Sequence, residues 1–154
     1  APIGNGACAS STRGCVGGGY TGSGINVINY ITIASAGNAA DFGDLTRTST
    51  YGITACSSST RGCFGGGYSY TNSIDYITIA SAGNASDFGD LTAAKNGIGA
   101  CSSETRGCFG SGYNLRTEID YITLANTGNA LDFGDISQAR HGLAGCSDVH
   151  GGLG

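Results

Sequence analysis

The sequence predicts an all-β protein made of three copies of one four-stranded unit, and three observations carry that expectation. The first is repetition. TRGCVGGGY, TRGCFGGGY and TRGCFGSGY stand at residues 12–20, 60–68 and 105–113, each followed by INYITIA, IDYITIA or IDYITLA and then by a GNA-x-DFGD segment. Self-similarity at a period of about 45 residues marks a repeat architecture, in which no single unit is large enough to bury a core alone. The second is composition: 29 glycines cluster at matching points of each repeat, and only 12% of residues are charged, well below ordinary usage. The third is pattern. β-branched and aromatic residues alternate over short runs, and nothing has a helical period over a useful length.

The second unit shows each element. Gly97–Ser102 (GIGACS) and Gly62–Gly66 (GCFGG) read as short strands, and Ile74–Ala80 (IDYITIA) as a longer one. Its alternation puts Ile74, Tyr76 and Thr78 on one face and Ile77 and Ile79 on the other. Ser81-Ala82-Gly83-Asn84 is a turn, because Gly and Asn accept positive φ. Phe88 and Leu91 then make a short apolar edge within DFGDL. The repeats span about 7–54, 55–99 and 100–144, and 145–154 is a partial C-terminal capping hairpin. Pro2–Ser10 copies the GIGACSS segment, so the first unit opens at a strand boundary. The chain begins with Ala1 rather than Met, which fits a removed leader, a longer parent protein or a trimmed boundary equally.

Seven cysteines follow the repeat. Cys8/Cys15, Cys56/Cys63 and Cys101/Cys108 each form C-x6-C, and Cys146 opens the partial unit without a second cysteine. Zinc knuckles need closer cysteine pairs or histidine partners, so no metal or other cofactor is expected. In a hairpin that pairs Cys56 with Cys63, Ser57 faces Gly62 and Ser58–Arg61 forms a four-residue loop. Opposed Cβ atoms lie about 4.5–5.5 Å apart, nearest disulfide geometry at a non-hydrogen-bonded pair. The three C-x6-C pairs are therefore disulfide candidates, which would imply an oxidising compartment; buried thiols are the alternative. Cys146 is left unpaired or intermolecular.

Net charge is −4, which argues against a nucleic-acid surface. No basic amphipathic stretch or apolar run of spanning length is present, so membrane insertion is not expected.

From Phe64 onward the unit resembles the kelch repeat of β-propellers. Gly65–Gly67 matches the kelch glycine pair, Tyr76 its tyrosine, and Phe88 stands where kelch repeats usually carry tryptophan. Lys95 and Arg140 occupy the place of the basic residue before the next innermost strand. The chain departs from kelch in lacking tryptophan altogether. It is similar above all to kelch-like repeat proteins of tailed phages, especially cyanophages, which string together TRG-x-FGGGY, IDYITIA-x-x-GNA-x-DFGDLT and a closing GCS-x-x-HGGL, here Gly145–Leu153. That resemblance implies four-stranded blades and a non-enzymatic structural or adhesive role in a virion, tail fibre-like, or another extracellular fibre. Propellers usually need four to eight blades. Three blades imply a homo-oligomer, a fibre or a solenoid; a β-trefoil is the alternative that three repeats of this size also suit.

Repeated polar residues are the remaining candidates. Asp41/Asp44, Asp87/Asp90 and Asp132/Asp135 are paired carboxylates that suit Ca²⁺ weakly and turn capping better. Arg13, Arg61 and Arg106 are placed either to pair with these aspartates across a blade interface or to sit solvated at hairpin tips. Tyr20, Tyr68 and Tyr113, with Tyr70 beside Tyr68, suit either stacking on a cell-surface glycan, as in a lectin, or packing between blades. Ser147, Asp148 and His150 make a hydrolase triad only on paper, since such close neighbours rarely reach the required geometry. No catalytic residue is assigned.

Overall fold

The computed structural model describes residues 4–48, 51–69 and 71–147. These residues contain twelve strands and no helix. The first sheet is a meander of β1 (Gly6–Ala9), β2 (Arg13–Gly17), β3 (Val27–Thr32) and β4 (Ala40–Asp44). The second repeats it with β5 (Thr54–Ser57), β6 (Arg61–Gly65), β7 (Ser73–Thr78) and β8 (Ser86–Asp90). The third consists of β9 (Gly99–Ser102), β10 (Arg106–Gly110), β11 (Glu118–Thr123) and β12 (Leu131–Asp135). All pairings are antiparallel and none of the three sheets closes on itself, so the barrel of a β-trefoil is not formed among the described residues.

Local chemistry explains each turn. At the first hairpin tip Ser10 Oγ accepts from the N–H groups of Thr12 and Arg13, and Ser58 and Ser103 do the same one and two repeats later. The S-x-T-R tetrapeptide is thus a side-chain-capped turn. The longest strand of each sheet meets a bulge in its outer partner. Ile28 faces Gly43 but Asn29 faces Asp41, which leaves Phe42 as the extra residue; Phe88 and Phe133 are extra in the same way. Bulges re-aim side chains, and here they turn the DFGD phenylalanine onto the face of its own sheet. The glycine after it has φ of +138°, +141° or +134°, a conformation that L side chains rarely adopt.

The core lies between sheets rather than within one. Between the first and second sheets, Cys8, Ile28, Phe42 and Leu45 from one side meet Phe64, Ile77 and Ile79 from the other. Between the second and third, Cys56, Ile74, Phe88 and Leu91 meet Phe109, Ile122 and Leu124. The two sets correspond residue for residue. Ile74 and Tyr76 belong to one junction and Ile77 and Ile79 to the other, as the alternation of IDYITIA requires.

The innermost strands are held in a column by Gly4, Gly52, Gly97 and Gly142. The N–H of Gly52 donates to Gly4 O at 2.8 Å, that of Gly97 to Gly52 O at 3.0 Å, and that of Gly142 to Gly97 O at 2.9 Å. All four have φ between +63° and +74°, which explains why this position is glycine in every unit. Gly142–Cys146 therefore continues the column beside β9, though without forming a strand.

The equivalent phenylalanines test this shared-core organisation. Phe88 is 2% exposed and Phe133 is 53% exposed. Phe88→Ala is expected to cost about 3–5 kcal/mol in urea unfolding of the dilute protein, and Phe133→Ala within about 0.5 kcal/mol of zero. Equal losses at both positions would contradict it.

Candidate functional site

The repeated feature with the most chemistry is the junction between successive sheets. At its inner end the TRGC hairpin of one sheet receives the cysteine of the sheet before. A Cβ built on Gly62 would lie 2.5 Å from Cys8 Sγ, and one on Gly107 would lie 2.5 Å from Cys56 Sγ. The glycine of TRG is thus a notch for a neighbouring sulfur. The arginine of TRG reaches forward across the junction. Arg13 Nη1 donates to Ile79 O at 2.8 Å and Arg61 Nη1 to Leu124 O at 2.7 Å. Each guanidinium also lies over a tyrosine of its own sheet, Arg13 at 4.4 Å from the Tyr30 ring centre and Arg61 at 4.6 Å from that of Tyr76. Arginine favours such sites because its planar cation stacks while its edge donates. These arginines do cross the interface, but to carbonyl oxygens rather than to the DFGD aspartates.

The middle of the junction holds a buried carboxylate. Asp75 accepts from Thr46 N–H at 3.0 Å and Thr46 Oγ1 at 2.7 Å, and Arg47 lies 3.1 Å away. Asp120 accepts from Thr92 N–H at 3.1 Å and Thr92 Oγ1 at 2.6 Å, with Lys95 Nζ at 2.9 Å. Both aspartates and Lys95 are fully or almost fully buried. Lys95 also donates to Glu118 O. Such a buried charge is tolerable because cation, hydroxyl and amide all answer it; removing one partner typically costs about 3–5 kcal/mol. In the first sheet the same strand position is Asn29, which is exposed.

The outer end is a bracket. Gly83 N–H donates to Phe42 O at 2.6 Å, Ala85 N–H to Asp44 O at 2.8 Å, and Asn84 Oδ1 accepts from Asp44 N–H at 3.0 Å. Gly128, Ala130 and Asn129 repeat these bonds along β8. The GNA loop therefore covers the open edge of the preceding outer strand, which would otherwise present unpaired backbone groups.

The sequence-derived candidates fall into place unevenly. Cys8, Cys56 and Cys101 do face Cys15, Cys63 and Cys108 in the expected register, yet all seven cysteines, Cys146 included, are free thiols. The stapled hairpin is thus corrected, and the register gives the reason. Ser58 N–H bonds Arg61 O, so Ser57–Gly62 is the non-hydrogen-bonded pair and Cys56–Cys63 the hydrogen-bonded one, whose side chains stand farther apart. The sulfurs of Cys8 and Cys56 lie against the glycine notches of the next sheet, and the Cys8 thiol also hydrogen-bonds with Cys15.

The paired aspartates do not converge: no group of three or more metal-ligating side chains occurs among the described residues. Asp41/Asp44, Asp87/Asp90 and Asp132/Asp135 lie along the outer strands, where Asp132 Oδ1 caps the N–H of Gly134. Tyr20, Tyr68 and Tyr113 are 43%, 57% and 40% exposed. Tyr51 bridges the first two edge-on, with ring centres 5.9 and 6.1 Å away, and Tyr113 stacks on His141 at 4.0 Å. They form a half-exposed aromatic ledge that both packs and faces solvent. Tyr70, Asp148 and His150 lie outside the described residues.

Sequence reasoning missed the carboxylate clamp and the GNA bracket. The signal for the first was an aspartate in the middle of a β-branched strand, a position that demands a partner.

Neither a protein-family model nor a curated protein matches the chain. Its class is set by architecture: an all-β repeat protein of three four-stranded antiparallel sheets joined by two equivalent junctions.

The thiols give the junction a pH signature. Burial pushes the Cys63 thiol from 9.0 up to about 12, against a smaller opposing effect of Arg61. Burial also raises Cys56 well above the ordinary value. Between about pH 9 and 12 the folded state then holds protons that the unfolded chain releases, so stability falls as pH rises through that window. Urea titrations at pH 7, 9 and 10.5 are expected to show this loss, and Cys63→Ser is expected to lose less with pH than the parent. In the native protein at pH 8, exposed Cys101 and Cys146 are expected to react with a thiol reagent before Cys56 and Cys63.

Proposed function

We propose that this chain is a non-enzymatic structural and adhesive repeat module that self-assembles, its sheets serving as kelch-like propeller blades in a phage virion, tail fibre-like, or another extracellular fibre. The observation that carries the reading is the repeated junction. The arginine–carbonyl bonds, the buried carboxylate clamp and the GNA bracket all join one sheet to the next, and they recur in both junctions. A chemistry-performing protein needs one asymmetric constellation instead. The virion or extracellular setting rests on the sequence resemblance alone, because the cysteines are free and supply no argument from redox compartment.

A second reading is favoured by one observation, the half-exposed Tyr20, Tyr68 and Tyr113. Aromatic faces beside polar loops suit sugar rings, so adhesion through a cell-surface glycan fits the same ledge.

Electron microscopy and light scattering over a concentration series test both. Rings or filaments that form without any sugar are expected. A monodisperse monomer at high concentration would overturn the self-assembling reading. A glycan-array signal abolished by Tyr68→Ala and Tyr113→Ala would move the assignment to a lectin.

A further inference from the structure

The three sheets make two complete junctions and leave both halves of a third one bare. The forward half belongs to the third sheet. Phe133, equivalent to buried Phe42 and Phe88, is 53% exposed. Arg106 keeps its place over Tyr121, at 4.5 Å from the ring centre, but has no carbonyl across from it among the described residues. A Cβ on Gly43 or Gly89 would strike the next sheet's GNA loop at 2.5 Å, whereas one on Gly134 meets nothing within 4 Å. The receiving half belongs to the first sheet. Ile31 and Ile33, equivalent to buried Ile77 and Ile79, are 47% and 53% exposed, and Val16, equivalent to Phe64, is 41% exposed. The loop Gly37-Asn38-Ala39 is the same GNA bracket with no strand edge to cover. A groove of about 770 Å³ runs past the innermost strands β1, β5 and β9 and reaches this face at Val16, Asn29 and Ile31, with Gly145 and Cys146 also lining it.

We propose that the occupant of each half is a second copy of this chain, bound head to tail, the third sheet of one copy against the first sheet of the next. This rests on the self-assembling reading above and names its surfaces. Continuity with the two internal junctions favours this occupant: the phenylalanine, arginine, glycine and GNA parts of that contact are all present, but its two halves do not meet on one molecule. Phe133 seats where Phe42 and Phe88 seat, Arg106 finds the carbonyl of Ile33, and the 37–39 bracket covers the edge of β12. Such a contact is heterologous, so it closes into a ring or continues as a filament according to its rotation.

Two features weaken this contact relative to the internal ones. The carboxylate of Asp75 and Asp120 is replaced by the amide of Asn29, and the threonine that answers it by Ser137. The place for the incoming β1 is also filled by the chain's own Gly142–Cys146, with Gly145 against Ala100 O. That segment forms no strand, whereas β1 is paired to β2 over four residues, so it is the segment that yields. The fraction of time it is displaced scales the apparent affinity.

Sedimentation equilibrium of the 154-residue chain and its variants tests the proposal. Phe133→Asp and Ile31→Asp, both at exposed positions, are each expected to weaken association at least about tenfold without changing the thermal midpoint of dilute protein. An equimolar mixture of the two is expected to give a one-to-one dimer and nothing larger, because only one good contact can form. Asn29→Asp is expected to tighten association about tenfold by restoring a charged acceptor, and truncation after His141 to tighten it likewise. If the parent and Asn29→Asp both remain monomeric, the proposal and the self-assembling reading fall together. If the parent assembles but Phe133→Asp and Ile31→Asp assemble equally well, the head-to-tail surface is wrong and the self-assembling reading survives.

Discussion

The rest of this structure depends on one constraint: a four-stranded sheet of this sequence has no core of its own. Its apolar side chains point to both faces, and each face is completed only by the neighbouring sheet. The middle sheet is satisfied twice, with Ile74 toward one neighbour and Ile77 toward the other, both almost wholly buried. The first and third sheets are satisfied once. Stability in such an array is the sum of unit and nearest-neighbour contributions, and here the neighbour contribution holds nearly all the large apolar residues.

Apolar contact alone would let sheets slide or pair out of register. The polar parts of the junction remove that freedom at three depths. The glycine notch admits a cysteine sulfur at the inner end, the carboxylate takes a threonine and a cation at the middle, and the GNA loop bonds a strand edge at the outside. A shift by one residue would strand Asp75 or Asp120 in an apolar interior, at a cost far above that of a lost surface contact. Specificity therefore comes from groups whose misplacement is expensive. The two cations differ in position, Arg47 directly after its threonine and Lys95 three residues beyond its own, yet they reach equivalent carboxylates, Asp75 and Asp120. What the junction requires is positive charge at that depth, and the connecting loop is free to vary.

Much of the fold was legible in the sequence because its signals were local. Strand periodicity, the four-residue loop Ser58–Arg61 and the register that opposes Cys56 to Cys63 all follow from neighbouring residues. The cysteine chemistry was not legible, since it turns on whether that register makes a hydrogen-bonded or a non-hydrogen-bonded pair, a choice set by the turn's own N–H to carbonyl bond. The carboxylate clamp was harder still. Asp75 reads as an oddity in IDYITIA, but its partners Thr46 and Arg47 lie in the preceding repeat, beyond the end of its outer strand. The sequence leaves the arginine of TRG either paired with an aspartate across an interface or solvated at a hairpin tip; the carbonyl acceptors of Arg13 and Arg61 fit neither, because a backbone carbonyl carries no sequence signal. Residues whose partners lie across a junction are read from sequence only as unexplained polarity.

Junctions, rather than individual sheets, hold the structure, and amide hydrogen exchange of the dilute protein measures this most directly. The N–H groups of Gly83, Ala85, Gly128 and Ala130 are bonded across junctions, while the equivalent Gly37 and Ala39 have no such partner among the described residues. Slow exchange at the first four and fast exchange at the last two is the expected result, with the last two slowing as concentration rises. Equal exchange in all three GNA loops at every concentration would contradict it.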